Sequence, residues 1–185
     1  MKELVFVLLG LVLFGGLFFV IVYNGLVGKR NMVRNAFSSI DVNLKKRADL
    51  VPNLVSTVKG YAKHEQETLT RVIELRNRIS EAKDDSERFR LEGQLGPEMG
   101  RLFALSESYP ELRSNENFLN LQRNLTEIEE QISAARRAYN AAVLEMNNAV
   151  ESFPSNIIAN MFHFVRHDFF EASESDRASQ QVGFD

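Results

Sequence analysis

The stretch His64-Glu65-Gln66-Glu67-Thr68 opens like the helical zinc motif of metalloproteases, where two histidines four residues apart grip the metal and the glutamate between them activates water. Thr68 stands where the second histidine is required, so the metal pair is missing and His64 reads as a surface residue of a helix. His163 and His167 repeat the four-residue spacing and Glu171 follows four further on, so on a helix all three would line one face as metal ligands. A structural metal site of this kind wants four ligands and no fourth is evident. The neighbouring Phe162, Phe164, Phe169 and Phe170 point instead to a packed or membrane-contacting helix with its histidines on the polar side. With no Cys in 185 residues there is no thiolate nucleophile, no Cys-ligated zinc and no disulfide. Glu127, Glu129 and Glu130 read as solvated helix faces, the Gly93 to Gly100 region lacks the lysine of a phosphate-binding loop, and no Ser/His/Asp elbow is present. The expectation is a protein with no catalytic residues, no cofactor and no metal. A net charge of −3 lacks the basic excess of a nucleic-acid binder.

What must carry these residues is dominated by its N-terminus. From Leu4 to Gly28 there is no charged residue, and Leu4 to Tyr23 is almost entirely Leu, Val, Phe, Ile and Gly. Twenty such residues rise roughly 30 Å as a helix, the thickness of bilayer hydrocarbon. A cleaved signal peptide has a shorter apolar run, about 7–15 residues, ending at small residues. The run therefore reads as a retained single-pass anchor with span ends at Leu4 and Tyr23. Its glycines contain no pair at the four-residue spacing of the helix-dimer motif. Lys2 stands alone before the span, whereas Lys29, Arg30 and Arg34 follow it, then Lys45, Lys46 and Arg47, with Asp41 the one acid between Lys29 and Arg47. Basic residues stay on the cytoplasmic side. This predicts the N-terminus outside and the C-terminal domain in the cytoplasm, with Lys29, Arg30 and Arg34 also placed to meet lipid head groups. Lys45-Lys46-Arg47 lies roughly 25 Å farther along a straight helix, beyond a Debye length of about 8 Å. That trio is expected to dock an acidic partner or a neighbouring subunit.

Beyond residue 28 the charged fraction rises to about 29%, a helical-bundle composition. Four segments show helical periodicity and a fifth short one follows. The first continues the membrane helix to Leu50 through Val33, Phe37, Ile40 and Leu44, and Pro52 predicts a kink or restart at Leu50 to Val51. A second runs from Pro52 to Ala82, followed by a charged turn from Glu81 to Glu87. The third, Arg88 to Ser108, is weakened by Gly93, Gly96, Pro97 and Gly100, which predict a helix divisible into two pieces. Tyr109-Pro110 ends it. The fourth is the clearest: Phe118, Leu121, Leu125, Ile128, Ile132, Ala135, Tyr139, Ala142, Met146, Ala149 and Phe153 alternate steps of three and four, a seam that needs partner helices. After Pro154, Ser155 is positioned to cap a final amphipathic helix reaching Phe170. The reading is all-α: an anchor over residues 1–28 continuing into an elongated antiparallel helical bundle over 29–171, with a polar, disordered tail over 172–185.

Several of these stretches together resemble a known family. Tyr23-Asn24-Gly25-Leu26-Val27, Arg30-Asn31-Met32-Val33, Ala36 to Val42 and Leu44-Lys45-Lys46-Arg47-Ala48-Asp49-Leu50-Val51-Pro52-Asn53-Leu54-Val55 resemble the opening of the LemA family. The likeness continues at Val58 to Ala62, His64-Glu65, Glu107 to Leu112, Asn117 to Gln122, Ala135 to Asn140 and Phe153 to Asn156. Phe37 departs from the family's usual Trp and Pro97 from its usual proline-free helix. The resemblance implies a single-span bacterial membrane protein built of long helices, with no established catalytic residues. It also carries an association of the family with a membrane quality-control protease, through genomic company. Two expectations follow: a scaffold in the bacterial cytoplasmic membrane that forms homo-oligomers and organises the lipid bilayer, or an adaptor for such a protease. A third is a metal-binding protein.

Overall fold

The computed structural model describes residues 1–62 and 64–170. They form six helices: α1 (Lys2–Tyr61), α2 (Gln66–Glu81), α3 (Asp85–Leu105), α4 (Pro110–Arg113), α5 (Glu116–Glu151) and α6 (Ser155–Met161). Among the described residues there is no strand, as the all-α reading expects. The tail expected over 172–185 lies outside the described residues. Two compact units divide the chain, one built from residues 1–39 with 134–171, the other from Ile40–Ser133.

The Ile40–Ser133 unit is an aliphatic core. Val51, Leu54, Val58 and Ala62 of α1 and its end, Leu69, Val72, Leu75 and Ile79 of α2, and Leu91, Leu95, Met99 and Leu102 of α3 are buried together with Phe118 and Leu125 of α5. The spacing of three and four in each set is the apolar stripe of a helix turned to a shared core. Asp84 starts α3 by accepting the Glu87 N–H at 2.7 Å, and Asn115 does the same for α5 through Phe118 N–H at 2.9 Å. Pro110 occupies the first turn of α4, where its missing N–H is no loss.

Four boundaries differ from the sequence expectations. Helix α1 runs through Pro52 without a restart. Val51 and Leu54 beside it are fully buried, and that burial offsets the hydrogen bond the proline cannot make. The break falls instead between Tyr61 and Gln66, so the expected segment from Pro52 to Ala82 is shared by two helices. Pro97 and its neighbouring glycines leave α3 undivided, and its capped start at Asp85 takes in part of the expected charged turn. The last helix stops at Met161 rather than reaching Phe170, and its N-cap is Pro154, with Ser155 Oγ donating to the Ser152 carbonyl at 2.9 Å.

The other unit has its own core, in which Leu26 and Val33 of α1 meet Val143 and Met146 of α5, Ile158 and Ala159 of α6, and Phe164. Phe153, the last member of the predicted α5 seam, lies outside that helix and is 80% exposed.

Candidate functional site

Helix α1 is long and apolar enough to cross a membrane, and the side chains from Leu4 to Phe18, with Val20 and Ile21, stand exposed along it. Among the described residues nothing covers these turns, and a fully exposed Leu/Val/Phe helix costs free energy in water that hydrocarbon removes. Coverage begins at Phe19, Val22 and Tyr23, in the last turn and a half of the span.

The cover is made by α6 and the extended segment after it. Phe162 lies 4.8 Å from Tyr23 and 5.7 Å from Phe19 between ring centroids, and Phe164 sits 5.9 Å from Tyr23. These tilted and edge-on contacts are the geometry aromatic quadrupoles favour. Arg30 lies over the Phe164 ring at 5.2 Å. Lys29 donates to Glu145 at 2.7 Å, and that hydrogen bond, with the ammonium charge behind it, holds the Glu145 carboxyl below the usual carboxylate range. Arg34 is exposed. Of the three basic residues expected at the membrane end, Arg30 and Lys29 thus also tie α1 to its neighbours.

The path of residues 162–170 is set by the backbone. Phe164 N–H bonds the Ala159 carbonyl at 2.9 Å and His163 N–H bonds Asn160 at 3.4 Å, closing α6 with paired 6→1 and 5→2 bonds. That closure needs a left-handed residue, and His163 takes it with φ 55° where glycine is usual. Two asparagines of α5 then hold the extended chain. Asn147 Nδ2 donates to the His167 carbonyl and its Oδ1 accepts the His167 N–H, both at 2.9 Å. Asn140 repeats this on Phe170, at 3.0 and 2.8 Å. Seven helical residues rise about 10.5 Å and three extended ones about 10 Å, so the two periods match. Tyr139 Oη adds a bond to the Asp168 carbonyl at 3.1 Å.

This geometry corrects the expected histidine face. His163 closes the helix and His167 lies in extended chain, so the helical spacing that would align them is absent; Glu171 lies outside the described residues. Among the described residues no group of three His, Asp or Glu is placed to hold a metal. His64 sits exposed in the turn between α1 and α2, not on a helix, and Thr68 belongs to α2.

The basic trio is divided as well. Lys45 and Lys46 are exposed, but Arg47 is 1% exposed and points into the Ile40–Ser133 unit. There it pairs with the buried Glu92 carboxylate, donates to the Glu92 carbonyl at 3.3 Å and bonds Glu129 at 2.6 Å. Position 47 falls three residues after Leu44 on the buried stripe, which turns its guanidinium away from any docking partner. Of the glutamates read as solvated, Glu129 is thereby an ion-pair partner, while Glu127 accepts from Gln131 at 3.1 Å. An open groove between α2 and α3 carries charges of both signs, with Arg101 bonded to Glu98 at 3.0 Å.

Sequence reasoning missed the asparagine clamps and the His163 closure. The available signal was Asn140 and Asn147 at a seven-residue interval, polar residues beside an otherwise apolar seam.

The chain is 27% identical over 179 residues to Protein LemA of Metamycoplasma hominis, a match covering 95% of this chain and 82% of that one. It is 32% identical over 80 residues to the magnetosome protein MamQ 2 of Paramagnetospirillum magneticum, and 29% over 79 residues to MamQ of Magnetospirillum gryphiswaldense. Both of those matches cover 43% of this chain and 29% of the longer relative. The LemA family model itself matches residues 36–184, most of the chain, and the protein belongs to the LemA family.

Proposed function

We propose that this protein is a membrane-anchored, non-enzymatic helical scaffold that self-associates and organises or shapes a bacterial membrane, with its N-terminus outside and its C-terminal domain in the cytoplasm. The observation that carries this reading is the single uninterrupted α1, whose uncovered apolar turns and core-forming turns share one backbone. The commitment of Arg47, Glu92 and Glu129 to internal ion pairing also supports a structural use of charge. Much of the predicted α5 seam is buried inside the fold, so contact with a second copy falls to exposed apolar side chains such as Met32, Val42 and Leu144.

The test is the mass and composition of the full-length protein extracted in mild detergent from its own cells. A homogeneous homo-oligomer is expected, and a monomer alone refutes self-association. A small particle carrying a stoichiometric second protein would favour the second reading, an adaptor for a membrane quality-control protease. What supports that reading is the exposed Lys45-Lys46 pair, and reversing both charges should then weaken co-purification.

A further inference from the structure

Between Ser152 and Val165 the chain carries no Lys, Arg, Asp or Glu. Within that stretch Ile158 and Ala159 are buried in the fold, while Ile157 and Met161, four residues apart on the same face of α6, are 54% and 61% exposed. Phe153 and Phe162 add exposed rings at either end. Scattered exposed apolar residues are ordinary, but a contiguous uncharged set is not.

Its position identifies what covers it. Phe162 packs against Phe19 and Tyr23, which belong to the last turn and a half of the span. Phe19 lies four residues inside the span end, about 6 Å by helical rise, and interfacial helices bury their apolar faces roughly 5–10 Å into the head-group boundary. Lys29 and Arg30 follow Tyr23 by six and seven residues, at head-group height, and Arg166, paired with Glu151 at 2.9 Å, closes the uncharged stretch.

From this continuity we infer that the protein touches the bilayer twice: through the α1 span, and through an interfacial wedge formed by α6 with Phe153 and Phe162. The wedge seats Ile157 and Met161 among the upper acyl chains of the leaflet on the C-terminal side of the span. It rests on the reading of Leu4 to Tyr23 as membrane-spanning. Inserting apolar bulk into one leaflet beside a span is a physical route by which the proposed scaffold would bend or thin its membrane.

The chain contains no cysteine, so single Ile157→Cys, Met161→Cys, Val12→Cys and Ile73→Cys variants of the full-length protein can each carry one nitroxide. The labelled proteins are reconstituted in phosphatidylcholine/phosphatidylglycerol vesicles, their circular dichroism is matched to the parent, and accessibility to oxygen and to a water-soluble nickel complex is measured by power saturation. Positions 157 and 161 are expected to favour oxygen, at a depth of roughly 5–10 Å, with position 12 deeper and the exposed apolar control at position 73 favouring nickel. Nickel-accessible labels at 157 and 161 with a lipid-buried label at 12 would overturn the wedge and leave the span standing. Labels at 157 and 161 shielded from both reagents would also overturn it, by placing protein over α6. A nickel-accessible label at 12 would overturn the span and the wedge together.

Discussion

The two units of this chain solve the same problem, fixing one helix against another, with different chemistry. The Ile40–Ser133 unit is specified by charge placed inside an aliphatic core: Arg47, on the buried stripe of α1, meets Glu92 of α3 and Glu129 of α5. The unit containing the span instead uses backbone recognition, with Asn140 and Asn147 gripping an extended segment and aromatic rings covering the end of the apolar helix. A buried ion pair is intolerant of losing one partner, because the survivor is left charged in a poor solvent. Loss of a clamp frees one N–H and one C=O that water can reach. The first arrangement gives an all-or-none unit, the second a locally detachable one.

The largest predicted effect tests the first half of that contrast. Arg47→Leu leaves Glu92 buried without its partner and should cost about 3–5 kcal/mol, read as a lowered midpoint in chemical denaturation of the detergent-solubilised protein. Replacing Glu92 by Leu as well should recover most of the loss. If the single variant is neutral, the buried charge does not specify this unit. Next in size, Asn147→Ala should cost about 1–3 kcal/mol through the two hydrogen bonds lost to the His167 backbone. The loss should be local, seen as faster amide exchange and proteolysis over residues 162–170 with the midpoint of the Ile40–Ser133 unit unchanged.

His163→Gly should act in the opposite direction. Relieving a left-handed β-carbon is worth about 1 kcal/mol, and slower exchange of the Phe164 amide would register it. The smallest effect belongs to Lys29 and Glu145. Because the folded-state pKa of Glu145 is depressed, its contribution is present above the ordinary carboxylate range and is lost as pH falls through the folded value. Glu145→Gln should therefore flatten the acid limb of a Tm-against-pH curve and remove part of its salt sensitivity. No change in that limb would assign acid sensitivity to other carboxylates.

The helices themselves were legible because burial writes a period into sequence, clearest in Phe118, Leu125, Ile128 and Ile132. The turn after Tyr61 was concealed by that same signal. Ala62 and Leu69 are seven residues apart, so the apolar pattern stays in phase across the break and reads as one helix. Pro52 gave a local warning that buried neighbours overrode. Arg47 misled because a run of three cations reads as one surface, although helical geometry turns adjacent residues 100° apart and sends the third inward. The end of α6 was written in no residue type at all: His163 occupies a place where glycine would have announced the stop.

The asparagine clamps carry a consequence for how this protein can evolve. Asn140 and Asn147 bond only main-chain atoms of Phe170 and His167, so they read the path of the extended segment and ignore its side chains. Mutational drift at its exposed positions, such as Asp168 and Phe169, is then free to retune what it shows to lipid or partner while its course stays fixed. The feature that should persist among relatives sharing this path is a pair of asparagines seven residues apart on the long helix, with no matching motif in the chain they hold.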